Sequence, residues 1–209
     1  MKLYAACLAS YNSGRLYGAW IDASADADEM RDAIATMLRG SPCPNVTVTC
    51  PYCDGDGTQI VHNSENGDTR EEPCATCAGS GEVPSAEEWA IHDYDGFPDM
   101  GEYPNLDDVA AYVELVEDND SIDADDMKAI MGDFQTVEEA AEALRDSFSG
   151  IYSTFRDYAD EAADEMISCR DAKPDSILAR YFDYEAFARD LAFDMRVIDC
   201  PSGVAVFYA

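Results

Sequence analysis

Leu3-Tyr-Ala-Ala-Cys-Leu-Ala-Ser-Tyr-Asn-Ser-Gly-Arg-Leu-Tyr-Gly-Ala-Trp-Ile-Asp22 opens the chain with two apolar runs around a polar centre. Residues 3–9 and 16–22 read as strands, and Tyr11-Asn12-Ser13-Gly14 between them reads as a hairpin turn. Ser24 then stands where a helix cap belongs. Met30, Ile34, Met37 and Leu38 follow at i, i+4, i+7 and i+8, the spacing of one buried helix face. Gly40 and Pro42 stop that helix. Trp89-Ala90-Ile91-His92-Asp93-Tyr94 supplies a third strand, ended by Gly96 and Pro98. The pattern is a small ββαβ unit over 1–41 and 84–103, interrupted by a segment of different texture at 42–83.

From about residue 104 the periodicity turns helical. Leu106, Val109, Val113 and Val116 mark one helix, and Met127, Ile130, Met131 and Phe134 mark a second. Val137, Ala141, Leu144 and Phe148 mark a third. It is preceded by Thr136 with Glu139 three residues on, a capping box. These helices make a middle domain over 104–145, and 146–209 makes a C-terminal α+β domain. In the latter, Gly150-Ile151-Tyr152 is a break or short strand. Ser153 caps a helix running to about Cys169 and buried along Phe155, Ala159, Ala162 and Met166. Pro174 separates it from a helix near 183–193, and 195–199 with 204–208 close the chain as a hairpin around Pro201-Ser202-Gly203. The fold class is α+β: three small domains plus a zinc-ribbon-like insertion.

The insertion carries the sharpest motif. Cys50-Pro-Tyr-Cys53-Asp-Gly-Asp-Gly57 and Cys74-Ala-Thr-Cys77-Ala-Gly-Ser-Gly81 are two CxxC knuckles with the ligand count and spacing of a tetrahedral site. The glycines let the backbone turn tightly, so that amides approach the sulfurs. Cys50, Cys53, Cys74 and Cys77 are therefore expected to hold one structural zinc per chain. A redox CxxC would not need a second copy with the same glycines. So few apolar residues cannot build a core, which makes metal the expected source of the segment's folding energy. The CxxCxGxG pattern resembles the zinc-binding repeats of DnaJ-type chaperones over these residues alone. That likeness raises an alternative function, a zinc-dependent chaperone or adaptor module. Cys7, Cys43, Cys169 and Cys200 are expected to stay free, with Cys43 near enough in sequence to be a spare ligand.

Charge is the other dominant feature. Asp and Glu number 44 against 13 Lys and Arg, a net charge of −31 over 209 residues. Duplex DNA carries one charge per ~1.7 Å of axis, so this charge matches roughly 53 Å of duplex. A compact chain of this length spans roughly 43 Å. With 11% aromatic and 47% hydrophobic residues, the chain still has material for a core, unlike a disordered acidic tail. Its acids fall in helical rows: Asp107, Glu114 and Asp118; Glu138, Glu139, Glu142 and Asp146; and Asp157, Asp160, Glu161, Asp164 and Glu165. Such spacing places like charges about 5–6 Å apart, each pair costing a few tenths of a kcal/mol. Solvated faces normally interleave Lys or Arg, and these rows do so sparingly. Carboxylates at phosphate-like spacing are what a DNA-mimicking surface requires. Salt adaptation is the competing explanation, since Lys2, Lys128 and Lys173 are the only lysines.

The acidity argues against nucleic acid and anionic lipid as partners. No apolar stretch is long enough to span a membrane, and eight cysteines without a secretory signal point to a reducing compartment. The expected location is cytoplasmic. There is no nucleophile elbow, P-loop, HExxH or dinucleotide fingerprint, and His62 and His92 are the only histidines. Asp118, Asp120, Asp123 and Asp125 lack the glycine and the terminal Glu of a calcium loop. The chain is not expected to be an enzyme.

Three segments together resemble the ArdA antirestriction family: residues 8–22, Glu87-Glu-Trp-Ala-Ile-His-Asp-Tyr-Asp-Gly-Phe97, and Arg180-Tyr-Phe-Asp-Tyr-Glu-Ala-Phe-Ala-Arg-Asp-Leu191. Gly132–Ala140 and Gly150–Tyr158 are similar too. The resemblance implies an elongated, three-domain, dimeric α+β protein that mimics bent B-form DNA. Such a protein would occupy the DNA-binding groove of type I restriction-modification enzymes, chiefly the methyltransferase core, inside a bacterial host. The family is often carried on mobile genetic elements, and it offers no catalytic residues to carry over. The Cys-rich insertion departs from the family pattern.

Overall fold

The structure, a computed structural model, describes residues 1–62, 68–168 and 181–209. It is mixed α+β with small sheets, and it divides into two compact units, Met1–Ala110 and Ala111–Ala209. Cys169, Lys173, Pro174 and Arg180, each singled out by the sequence, lie outside the described residues. No helix among the described residues is long and apolar enough to cross a membrane.

In the first unit, β1 (Lys2–Cys7) lies between β2 (Gly18–Asp22) and β7 (Trp89–Asp95), antiparallel to both. Residues 3–9 and 16–22 do pair, but not through a tight turn. A short helix α1 (Leu8–Asn12) intervenes. Its first amide bonds to the Glu88 carbonyl, and Ser10 Oγ lies 3.0 Å from Ser41 Oγ in the interior. Tertiary contacts thus impose a helical turn that five residues could not hold alone.

Helix α2 (Ala27–Arg39) covers one face of this sheet. Alternation in β1 puts Leu3, Ala5 and Cys7 on the buried side, fully inaccessible, against Met30, Ile34, Met37 and Leu38. Burying each large apolar side chain contributes about 1.5–3 kcal/mol. The other face shows the Tyr4–Trp20 cross-strand pair, 5.4 Å between ring centroids. The cap of α2 is Asp26 rather than Ser24. Asp26 accepts from the Asp28 amide, while Ser24 Oγ accepts from the Asp26 amide and donates to Glu29. Gly40 closes the helix.

The segment between α2 and β7 forms two ribbons, β3 (Val46–Thr49) with β6 (Glu82–Ser85), and β4 (Thr58–His62) with β5 (Thr69–Pro73). The Ala86 amide bonds to the Leu38 carbonyl at 3.1 Å, tying its base to the end of α2. The division between the two units falls within α3 (Leu106–Asp118). Leu106, Val109 and Val113 are buried there as expected.

In the second unit, β8 (Phe148–Tyr152), β10 (Gly203–Tyr208) and β9 (Met195–Cys200) form an antiparallel sheet in that order. Helices α5 (Val137–Asp146) and α6 (Phe155–Ser168) both pack on β8, and α4 (Ala124–Gly132) packs on β9. Met127 and Ile130 of α4 are fully buried. Phe134 lies past its end and packs on Phe207, with the Arg196 guanidinium 4.1 Å over its ring. In α5 the buried alanine is Ala140, not Ala141, and Phe148 belongs to β8. The capping box is shifted: Thr136 accepts from the Glu139 amide, but Glu139 reaches back to the Gln135 amide. In α6 the buried stripe is Tyr158, Ala159, Ala163 and Ile167. Ala162 is only half-buried and Met166 is exposed, so the face is turned by one residue from the expected one. Thr154 rather than Ser153 accepts from the Asp157 amide. A last helix α7 (Tyr184–Leu191), capped by Asp183, contacts α6 and leads into the closing hairpin.

One buried carboxylate shapes this unit. Asp126, 2% exposed, accepts from the Ser202 amide at 2.9 Å in the β9–β10 turn. Replacing Asp126 by Ala strands that donor and should cost about 1–3 kcal/mol, read as a lower urea midpoint. Asp126→Asn keeps an acceptor and should cost less; equal midpoints for the two variants would show that the hydrogen bond is not what matters.

Candidate functional site

The two knuckles meet as near-copies of each other. Cys50, Cys53, Cys74 and Cys77 are all buried, and their four Sγ atoms lie within 4.8 Å of one another. Cys50 Sγ is 3.9 Å from Cys74 Sγ, and Cys53 Sγ is 3.7 Å from Cys77 Sγ. A tetrahedron with metal–sulfur bonds of about 2.3 Å has edges of about 3.8 Å. The Cys50–Cys74 and Cys53–Cys77 pairs stand at that spacing, well beyond the ~2.05 Å of a disulfide, and all four sulfurs stay within 4.8 Å. The donor set therefore fits a closed four-thiolate centre. The four cysteines are the only group of three or more potential ligands that converge among the described residues.

Local backbone explains the arrangement. The Gly57 and Gly81 amides donate to Cys53 and Cys77 Sγ, each at 3.3 Å. The Cys50 amide donates to the Gly81 carbonyl and the Cys74 amide to the Gly57 carbonyl, each at 2.8 Å. Gly57 and Gly81 have φ of 72° and 77°, and a Cβ at Gly57 would sit 2.5 Å from the Gly79 carbonyl oxygen. The two loops cross at a distance only glycine permits. Burial pushes the Cys53 thiol up. At Cys77 desolvation acts in the same direction, but amide hydrogen bonds from Gly81 and Gly79 outweigh it and hold the thiol down. Amides aimed at sulfur stabilise thiolate, the form that ligates metal.

The other described cysteines do not join this group. Cys7 lies 3.3 Å from Ser41 Oγ in the core, and Cys200 donates to the Asp126 carbonyl. Cys43 is half-buried and outside the cluster.

The acidic rows occupy exposed helix faces. Glu114 and Asp118 on α3, Glu138, Glu142 and Asp146 on α5, and Glu161 and Glu165 on α6 are exposed. Several acids of the rows hold local partners. Asp107 pairs with Arg31 at 2.7 Å, Asp146 with Arg145, and half-buried Asp160 with Arg156 at 2.7 Å. Asp164 accepts from Tyr184 Oη at 2.6 Å, Asp157 from Thr154 Oγ1, and Glu139 from the Gln135 amide. Glu114, Asp118, Glu138, Glu142, Glu161 and Glu165 form no ion pair among the described residues. Asp123 caps α4 and Asp125 pairs with Lys128, so the aspartates of that loop serve the helix start. His62 and His92 are exposed, His92 edge-on to Tyr11.

Buried Asp126 was missed from sequence, yet its i, i+4 relation to Ile130 places it on the apolar face of α4.

Over residues 3–206 the chain matches the model of the family described as antirestriction protein (ArdA). No curated protein matches the chain.

Proposed function

The chain belongs to the ArdA antirestriction family, and we propose that it acts as a non-enzymatic DNA mimic. In this reading it occupies the DNA-binding groove of a type I restriction-modification enzyme, chiefly the methyltransferase core, as a homodimer within the bacterial cytoplasm. The observation that carries the reading is the family match over nearly the whole chain, joined to helix faces bearing carboxylates without basic partners. Carboxylates presented at phosphate-like spacing would take the places of DNA phosphates against Lys and Arg of the target. The contributing residues are those of the three rows, above all Glu114, Asp118, Glu138, Glu142, Glu161 and Glu165. We assign them as a distributed surface in which no single group is essential.

The four-cysteine centre is proposed to hold one zinc ion with a structural role. Cys50, Cys53, Cys74 and Cys77 fill every tetrahedral position, which leaves none for a substrate or activated water. Zinc would supply folding free energy to ribbons that bury little apolar surface.

A titration of a type I enzyme on its own DNA, with this protein as competitor, tests the proposal. DNA binding should fall in proportion to added protein, with no turnover of either partner.

A further inference from the structure

The acidity has two long gaps. Residues 1–21 and 33–53 contain no Asp or Glu, in a chain with 44 acids in 209 residues. These two segments come together in the first unit. Ser10 meets Ser41 at 3.0 Å, and Tyr17 Oη donates to the Met37 carbonyl at 3.0 Å. That contact ties the Tyr17 side chain to the last turn of α2, the turn that bears Arg39. Arg15 and Arg39, one in each gap, are the cations that form no ion pair among the described residues.

A cleft of about 470 Å³ opens between the end of α2 and the first cysteine knuckle, lined by Thr36, Arg39, Pro51, Tyr52, Thr76 and Pro84 among others. No carboxylate is among its described lining residues. Two other clefts on this unit are lined by acids: Glu87 and Glu88 in one, Asp93, Asp99 and Glu102 in the other. Tyr52, which lines the cleft, is 76% exposed. Arg39 Nη2 donates to Thr36 Oγ1 at 2.9 Å, which orients the guanidinium and leaves its other donors available. A cation in the last turn also complements the helix dipole, a role that needs no cleft.

We propose that this cleft is a protein-docking site that takes a polypeptide segment of the inhibited enzyme bearing a carboxylate beside an apolar side chain. The inference rests on the DNA-mimic reading and adds to it. Charge mimicry alone cannot distinguish one DNA-binding protein from another, whereas a carboxylate-free cleft with one tyrosine and one oriented Arg can. The chain's net charge of −31 disfavours a polyanion such as nucleic acid as the occupant. A peptide carboxylate brings one charge rather than a phosphate chain. Tyrosine and arginine are also the residues that most often dominate protein interfaces.

The test measures displacement of DNA from a type I methyltransferase core at about 50 and about 500 mM salt. Competitors are the wild-type protein, Arg39→Glu, Tyr52→Ala and Arg39→Lys. Metal content and circular dichroism check that each variant keeps its fold. At low salt Arg39→Glu and Tyr52→Ala should each weaken competition about tenfold, with Arg39→Lys intermediate; the Tyr52→Ala loss should persist at high salt, while the Arg39→Glu loss should shrink as the ion pair is screened. Competition by wild type with unchanged R39E and Y52A would overturn the docking site and leave the mimic reading standing. Absence of competition by wild type itself would remove the mimic reading and the docking site with it. Protection of the cleft by a DNA oligonucleotide, or a Y52A loss that vanishes at high salt, would contradict a peptide occupant.

Discussion

Replacing Cys74 by Ser is expected to release the metal and unfold the ribbons between α2 and β7, while the β2–β1–β7 sheet survives. Zinc–thiolate centres contribute about 10–16 kcal/mol of apparent binding free energy in small metal-folded domains. That far exceeds what the insertion can draw from its small cluster of Val83 and half-buried Val48 around the four cysteines. The sheet does not depend on metal, since Leu3, Ala5, Cys7, Met30 and Ile91 are buried in its own core. Metal analysis should fall from one zinc per chain to none. Amide exchange should accelerate over Val46–Thr49 and Glu82–Ser85 but not over Lys2–Cys7. Full metal content in C74S, or unchanged protection in its absence, would refute the structural role. The Ala86–Leu38 bond marks where loss of protection should stop.

The second large effect concerns the acidic faces. Replacing Glu138, Glu142, Glu161 and Glu165 together by Gln should weaken target binding on the order of 100-fold, about 2.8 kcal/mol. Each alone should cost under about 1 kcal/mol, the usual range for an exposed charge pair. These four are chosen because none supports the fold through an ion pair. Asp157, Asp160 and Asp164 in the same rows cap, pair with Arg156 and hold Tyr184, so changing them would mix binding with stability. Removing like charges at helical spacing should hold or raise thermal stability. One substitution that abolished inhibition in a folded protein would overturn the distributed account and point to a single functional group.

Local chemistry with fixed spacing was legible from sequence. The four cysteines and their glycines define their own geometry within eight residues each, and the α2 stripe follows a period with no competing phase. Where two neighbours could serve equally, sequence chose wrongly. Ser24 and Asp26 are both good caps, as are Ser153 and Thr154, and tertiary packing decides between them. In α6 the alanines at 159, 162 and 163 leave the apolar stripe ambiguous by one residue. The side that packs on β8 and meets Met195 and Val206 is the one with Tyr158. Helix α1 has no signal because its turn is imposed by Glu88 and Ser41, far along the chain. The cleft at Arg39 was invisible for the same reason, since its walls come from residues 36, 39–40, 51–52, 76 and 83–84.

The central claim, that the protein stands in for DNA, is tested most directly by the salt dependence of competition. The affinity of this protein for a type I methyltransferase core should be measured from about 50 to about 500 mM salt beside that of the cognate DNA. The account predicts that both weaken steeply, because the same basic residues of the target are neutralised in each complex. An affinity that stays flat across that range, or binding that leaves DNA in place on the enzyme, would contradict it.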